Sequence, residues 1–182
     1  MPYFTTLLLC FCLLQTCSVS SDKTKEISAK ELHFEKQEND LKIAYYNTKK
    51  FTGNVVSYHK NGTIFTEKSY VKGLESGDWK IWYDNGKPMK NGHIKDGKNE
   101  GIFYEWHENG QKKYEQPYLA NKKHGKWLSW YETGEKWTAR DFVNDELHGK
   151  ILIWHTDGTL TKEYTYKNGV LVDKQFYFEE GK

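Results

Sequence analysis

The hydrophobic and polar positions of the chain repeat every 24 residues from Gly53 onward. Counted from a glycine at the first position, the third and eighteenth positions are apolar in every copy and the sixth is aromatic, whereas the segments between copies are polar. Five copies without an insertion predict an array of identical structural units. The opening glycines are Gly53, Gly77, Gly101, Gly125 and Gly149.

Each copy predicts a β-hairpin. A second glycine lies nine residues after the first, usually preceded by Asn or Asp. Asn-Gly and Asp-Gly accept the positive φ angles of a type I′ turn, so we expect this turn between the two strands of every copy. The sequence therefore predicts an all-β fold, an elongated antiparallel meander of 24-residue hairpins in a single-layer sheet. The predicted turn glycines are Gly62, Gly86, Gly110, Gly134 and Gly158.

The two ends of the array depart from the repeat pattern, as terminal repeats do. Residues 29–52 are predicted to form an N-terminal capping hairpin, and residues 53–172 the five repeats. Residues 173–182 are predicted to form a C-terminal capping strand, in which Asp173 replaces the opening glycine. Residues 18–28 are polar and charged, which indicates a tether before the cap.

The amino terminus indicates export. Residues 1–20 contain no Lys, Arg, Asp or Glu, and their apolar run over residues 5–14 is shorter than the roughly 20 residues that span a bilayer. This pattern predicts a signal peptide over residues 1–17, with a buried strand as the alternative. The segment that ends at Cys17 resembles a bacterial lipoprotein signal, while cleavage after Ser20 stays open. With Cys17 lipidated, we expect a membrane-anchored envelope protein; otherwise a periplasmic or secreted one.

Composition narrows the function classes. The net charge is +2, from 27 basic and 25 acidic residues, and this near balance predicts no nucleic-acid partner. Aromatic residues make up 16% of the chain, which suits a thin sheet with aromatic ladders. Cys10, Cys12 and Cys17 are the three cysteines, so the domain beyond the signal has no thiol nucleophile or thiolate metal site.

No catalytic, cofactor-binding or metal-ligating residue is predicted. His59, His107 and His155 lie two repeats apart, hence about 20 Å from one another, whereas metal ligands must lie within about 2 Å of one ion. Carboxylates recur at fixed positions of the repeat but a flat sheet gives them no cleft. We therefore expect that the protein is not an enzyme.

The aromatic sixth position and the His or Tyr that follows it form the predicted interaction surface. Exposed aromatic side chains favour interfaces because they bring a large area at a low entropy cost. The candidate residues are Tyr58, His59, Trp82, Tyr83, Trp106, His107, Trp130, Tyr131, Trp154 and His155.

The repeats resemble the MORN-repeat variant family, whose pattern is Gly-x-aromatic-x-x-Trp/Tyr-Tyr/His-x-Asn-Gly before a second strand. Residues 77–101 and 125–149 match this pattern well, and the resemblance covers about residues 41–172. It implies a MORN-like single-layer sheet. Proteins of this type are linked to membrane association and protein scaffolding, and many are labelled YwqK-type antitoxins.

Three functions follow, in order of preference. The first is a non-catalytic, envelope-associated scaffold for protein interactions, with a membrane contact through the lipid anchor. The second is an antitoxin or immunity protein of a toxin–antitoxin system, against which export weighs because a cytoplasmic toxin needs a cytoplasmic partner. The third is a glycan-binding or glycan-cleaving protein. The sequence does not name the partner.

Overall fold

The computed structural model describes residues 26–37 and 41–177, which form β-strands and one short 3₁₀ turn (Ala29–Glu31). The strands are β1 (Glu26–Ser28), β2 (His33–Lys36), β3 (Lys42–Tyr46), β4 (Lys49–Lys50), β5 (Gly53–Tyr58), β6 (Ile64–Val71), β7 (Leu74–Glu75), β8 (Gly77–Trp82), β9 (Pro88–Lys95), β10 (Lys98–Trp106), β11 (Lys112–Leu119), β12 (Lys122–Lys123), β13 (Gly125–Trp130), β14 (Lys136–Val143), β15 (Glu146–Trp154), β16 (Leu160–Lys167) and β17 (Val170–Phe176).

Most of these strands belong to one long sheet. Its order is β1-β5-β6-β8-β9-β10-β11-β13-β14-β15-β16-β17, and the short strands β7 and β12 pair with β6 and β11. Strands from β5 to β17 follow one another in chain order and pair antiparallel, whereas β1 pairs with β5 in parallel. A separate three-stranded sheet has the order β2-β3-β4. The predicted all-β meander of hairpins is confirmed.

The turn inside each hairpin differs from the predicted type I′ turn. In the first copy the Gly62 N–H donates to the His59 carbonyl (3.0 Å) and the His59 N–H donates to the Thr63 carbonyl (2.8 Å). Because the positive φ falls on the glycine and not on Asn61, this is a three-residue loop with a bulge at glycine. The turn glycines all have positive φ: Gly62 (+86°), Gly86 (+81°), Gly110 (+96°), Gly134 (+102°) and Gly158 (+86°).

Two-residue turns with positive φ at both positions occur instead in the connections between copies. Asp96 and Gly97 have φ angles of +49° and +76°, and Ala120 and Asn121 have +49° and +72°. Successive connections are hydrogen-bonded, since the Gly97 N–H donates to the Glu75 carbonyl (2.8 Å) and the Asn121 N–H to the Asn99 carbonyl (2.9 Å). The polar connections are therefore hairpins themselves, stacked along one side of the sheet.

The opening glycine of a copy lies in a bulge between that copy and the previous one. Along the pairing of β9 with β10, Glu100 is opposite His93 but Tyr104 is opposite Asn91, so β10 has two extra residues. Gly101 lies among them with a φ of +78°. A residue with a side chain would be strained in this conformation, which explains why the repeat begins with glycine.

Residues of the third and eighteenth positions form a continuous row of rings on one face of the sheet. Trp79 and Phe103 have ring centroids 5.7 Å apart, and Phe103 and Tyr118 lie 5.0 Å apart. The row continues to Trp127 with centroid distances of 5.2 Å to Tyr118 and 5.3 Å to Phe142. Tilted contacts of this kind add attraction to area burial, so this row holds neighbouring repeats together.

The most buried cluster lies at the N-terminal end. Contrary to the predicted tether over residues 18–28, Glu26–Ser28 forms β1, and Ile27 is only 7% exposed. Pairing with β5 places this apolar side chain in the core, and the cap therefore includes residues before the predicted boundary at residue 29. The segment predicted as a capping hairpin contains β2, β3 and β4. The cluster consists of Ile27, Ala44, Phe51, Val55 and Tyr70, with Leu32 and Tyr46 against it.

At the other end, β17 begins at Val170, three residues before the predicted capping strand, and all seven of its residues are exposed. The predicted signal peptide (residues 1–17), Cys17 and most of the predicted tether lie outside the described residues, as do residues 38–40 and 178–182. No helix in the described part of the chain is long and apolar enough to cross a membrane.

Candidate functional site

The sixth-position residues lie on the face opposite the row of core rings, and each is paired across its hairpin with the residue of the twelfth position. Tyr58 is 58% exposed, whereas the four tryptophans are half-buried. We call these five pairs the aromatic row. They are Tyr58 with Ile64, Trp82 with Pro88, Trp106 with Lys112, Trp130 with Lys136, and Trp154 with Leu160.

Two lysines of the aromatic row lie over rings. The Lys112 ammonium is 5.2 Å from the ring centroid of Tyr104 and 5.1 Å from that of Trp130 in the next repeat. The Lys136 ammonium lies 5.9 Å from the Trp154 ring. Because a cation is attracted to an aromatic face, these contacts join neighbouring repeats and partly cover the indoles.

The seventh-position side chains bond to the next repeat. His59 Nε2 donates to the Trp82 carbonyl (2.9 Å), and the Tyr83 hydroxyl donates to the Trp106 carbonyl (2.8 Å). The pattern continues with His107 to the Trp130 carbonyl (3.2 Å) and Tyr131 to the Trp154 carbonyl (2.9 Å). His and Tyr are interchangeable here because both place a donor at the far end of a ring.

His155 ends this series. Its Nδ1 lies 3.6 Å from Asp157 Oδ2 in its own turn, and its side chain is 65% exposed. The seventh position is thus engaged between repeats in four copies, and its His or Tyr has a structural use that the sequence pattern did not reveal.

The turn asparagines also bridge repeats, a role that sequence reasoning missed. Asn61 Nδ2 donates to the Asp84 carbonyl (2.9 Å), and Asn109 Nδ2 donates to the Glu132 carbonyl (2.7 Å). Asn61 Oδ1 meanwhile accepts from the Thr63 N–H (3.0 Å) inside its own turn. The sequence does contain a signal for this role, since these asparagines recur at the 24-residue period and therefore lie in neighbouring turns.

Comparison with known protein families agrees with this geometry. Residues 75–96, 99–120 and 147–168 match the model of the MORN repeat variant. The chain is a MORN-repeat-variant protein. Each matched segment begins and ends in a connection hairpin, so the family unit has the glycine-containing hairpin turn near its centre. No curated protein matches the chain.

Ionisable groups of the MORN-variant repeats are engaged in ion pairs on the sheet faces. Burial acts to raise the pKa of Glu105, but hydrogen bonds from Lys90 (2.8 Å) and Lys113 (2.9 Å) outweigh it and hold that pKa below its ordinary value. A hydrogen bond from Lys150 (2.6 Å) likewise lowers the pKa of Glu163. These carboxylates therefore remain charged at neutral pH.

The predicted histidines do not converge. His59 and His107 each bond to a backbone carbonyl of a different repeat. Within residues 26–37 and 41–177, no three His, Cys, Asp or Glu side chains are grouped so that they could hold a metal ion. The MORN-variant repeats thus spread their polar groups along the array instead of collecting them at one point.

Proposed function

We propose that this MORN-repeat-variant protein is a non-catalytic scaffold that binds a protein partner along the aromatic row. The observation that supports this most directly is the continuity of the row, which places an aromatic residue of every repeat on one face. Its first pair is the most open, with Tyr58 58% exposed and Ile64 38% exposed. Exposed aromatic side chains of this kind are favoured at protein interfaces.

Preorganisation adds to this proposal. Bonds such as Tyr83 to the Trp106 carbonyl (2.8 Å) and Tyr131 to the Trp154 carbonyl (2.9 Å) fix the spacing of neighbouring indoles. A surface that is already ordered loses less conformational entropy when a partner binds. Lys136 places a positive charge beside the Trp154 ring (5.9 Å), whereas the ammonium of Lys112 is paired with Glu115 (2.9 Å), so we infer a partner that presents an acidic side chain among apolar ones.

A photo-crosslinking amino acid at position 64 tests this surface, with position 65 as the matched control. Ile64 and Phe65 are neighbours with exposures of 38% and 39%. Ile64 is paired with Tyr58 in the aromatic row, whereas the residue equivalent to Phe65 in the fourth repeat, Trp137, lines the opposite face. In cells that produce the protein, we expect a discrete protein adduct from position 64 and not from position 65.

The comparison of the two positions separates a specific partner from general stickiness. Adducts of equal yield and size from both positions, or none from position 64, would show that the aromatic row is not the binding surface. A Tyr58→Ser variant carrying the crosslinker at position 64 should lose most of the adduct, since it removes the most exposed ring of the row.

We also propose that the scaffold is anchored in the cell envelope through a lipid on Cys17. The support is the sequence of the amino terminus together with the position of β1, which begins only nine residues later at Glu26. A lipid there would attach the membrane at the capped end of the array. We expect wild-type protein in the membrane fraction with an acylated amino-terminal cysteine by mass analysis, and Cys17→Ser protein released from it. A soluble wild-type chain with residues 1–16 still present would refute the anchor.

A further inference from the structure

A shallow hollow lies in the fourth repeat, on the face opposite the aromatic row. Its floor is Ser129 and Thr138, which are cross-strand partners, 4% and 5% exposed, with their hydroxyl oxygens 2.7 Å apart. The second, third and fifth repeats have bulkier pairs at these two positions, Ile81 with Lys90, Glu105 with Tyr114, and Ile153 with Lys162. Larger side chains surround the floor: Tyr114, Gln116, Trp127, Trp137 and Arg140.

Arg140 gives the hollow its charge. It is the single arginine of the chain, it is exposed, and within the described residues its guanidinium has no hydrogen-bond or ion-pair partner. Lysines of the same face differ, since Lys68 is 3.0 Å from Glu75 and Lys90 is 2.8 Å from Glu105. A guanidinium whose donors are free matches the two oxygens of a planar carboxylate.

Two indoles shape the hollow. Trp137 is 40% exposed, and its ring is supported by that of Tyr131 at a centroid distance of 5.8 Å. Trp127 is fixed from behind because its Nε1 donates to the Pro117 carbonyl (2.9 Å). The ammonium of Lys123 lies 4.9 Å from the Trp127 ring centroid and adds to the positive charge nearby. The exposed indole of Trp137 offers a flat apolar surface close to the positively charged side chains.

Two further polar groups at the hollow are available to a ligand. The hydroxyl of Tyr114 and the amide of Gln116 have no hydrogen-bond partner within the described part of the chain. In a small-molecule site, a few polar groups beside an aromatic surface fix the orientation of the ligand. A ligand that carries a carboxylate and several hydroxyl groups on a small frame would satisfy Arg140, Gln116 and Tyr114 together.

We propose that this hollow binds a sugar ring that carries a carboxylate, of the hexuronic acid class. The Arg140 guanidinium receives the carboxylate, the Trp137 indole packs on the C–H face of the ring, and Gln116 and Tyr114 bond to ring hydroxyls. A peptide fits less well because β13 and β14 are both paired on their two sides, so neither offers a free edge for a peptide backbone.

The fourth repeat also stands apart in its sequence. The three segments that match the MORN repeat variant model leave out the first repeat and residues 121–146, and the latter contain Trp137, Arg140 and the floor of the hollow. Its fifteenth position is Ala139, where the other copies have Glu67, Asn91, Glu115 or Glu163. The acid next to Arg140 in its own strand, Asp141, is engaged by the Lys126 ammonium (2.7 Å) and the Lys150 N–H (3.1 Å) and not by the guanidinium.

The first repeat supplies an internal comparison. Ser57 and Thr66 form the same kind of floor, with hydroxyl oxygens 2.6 Å apart. There, however, Lys68 replaces Arg140 and is neutralised by Glu75 (3.0 Å), and Val55 replaces Trp127. The small floor alone therefore does not make the site, and Lys68 is the matched position for a control substitution.

Isothermal titration of the full chain tests the proposal with two ligands that differ only in the carboxylate. These are a short oligomer of glucuronic acid and the glucose oligomer of the same linkage and length. We expect the acidic oligomer to bind at least about tenfold more tightly, the size of one charge-assisted contact. Arg140→Gln should abolish this difference, Trp137→Ala should weaken binding of the acidic oligomer, and Lys68→Gln should change nothing.

Several results would overturn the assignment. They are no binding of the acidic oligomer, equal binding of the two oligomers, or an unchanged preference in Arg140→Gln protein with a wild-type melting temperature. Tighter binding of a Glu-rich peptide, with the same dependence on Arg140, would reassign the hollow to protein ligands. The outcome is independent of the proposed scaffold function, because Arg140→Gln protein should still crosslink normally from position 64.

Discussion

Gly73→Ala should lower the free energy of unfolding by about 2–5 kcal/mol, through backbone strain and overpacking. Gly73 is buried in the first connection turn with a φ of +85°. A Cβ atom there would lie 2.6 Å from Ile43 Cγ2 and 3.0 Å from the Ala44 carbonyl oxygen. Because Gly73 also accepts a hydrogen bond from the Ala44 N–H (2.8 Å) and donates one to the Phe51 carbonyl (2.7 Å), the backbone cannot move aside cheaply.

Gly62→Ala is the matched control for this substitution. Gly62 has nearly the same φ, +86°, but a Cβ atom there would have no atom within 4 Å. The control thus retains the left-handed strain, about 1 kcal/mol, and removes the clash. Urea unfolding of both variants measures the difference. Equal losses in the two variants would show that the connection turn is not packed against the cap as described.

Phe51→Ala should cost about 3–5 kcal/mol, the usual range for truncation of a buried phenylalanine. The Phe51 side chain is 3% exposed and lies between the rings of Tyr46 and Tyr70, with centroid distances of 6.4 Å and 6.0 Å. It belongs to the cluster of buried residues at the N-terminal end, so its truncation leaves a cavity within that cluster.

The effect of Phe51→Ala should also be local. In a repeat array each unit contacts only its neighbours, so loss of the cap core should open the N-terminal end first. Hydrogen exchange should become faster in β3, β5 and β6 while β14, β15 and β16 keep their protection. Phe65→Ala, at a ring that is 39% exposed, serves as the control and should change the unfolding free energy by less than about 1 kcal/mol. Uniform loss of protection along the whole sheet would contradict this picture.

Two lines of hydrogen bonds run along the array and connect its stability to its proposed use. At the hairpin turns, bonds such as Tyr83 to the Trp106 carbonyl (2.8 Å) join each repeat to the next. At the connections, bonds such as Gly97 N–H to the Glu75 carbonyl (2.8 Å) do the same. Because the repeats are joined along both sides of the sheet, the side chains of successive repeats keep a constant spacing on its faces. A binding platform requires such a constant spacing.

The sequence predicted where the turns lie and not which kind they are. Asn-Gly is compatible both with a two-residue type I′ turn and with a three-residue loop that ends on a left-handed glycine. The register between the strands decides between them, and that register depends on side-chain contacts across the hairpin, such as Ser57 with Thr66. Asp96-Gly97 has the same local chemistry yet forms the two-residue turn.

The sequence alone also could not show which residues of the predicted interaction surface are engaged between repeats. The sequence shows that His59 and Tyr83 occupy equivalent positions, but it does not show what lies one repeat away. The distance between stacked hairpins brings the Trp82 carbonyl to 2.9 Å from His59 Nε2. The hollow around Arg140 was missed because its floor, Ser129 and Thr138, is conspicuous only when strand pairing places the two small residues side by side.

The sequence by itself determined the period, the two strands of each repeat and the left-handed glycines of the hairpin turns, because each of these depends on residues within one 24-residue copy. Tertiary structure decided the rest. The connections form hairpins, and Ile27 lies in the core because β1 pairs in parallel with β5. The seventh-position side chains bond to the next repeat. These features depend on which backbone groups meet across neighbouring copies, and that is fixed by strand register and stacking and not by local preference.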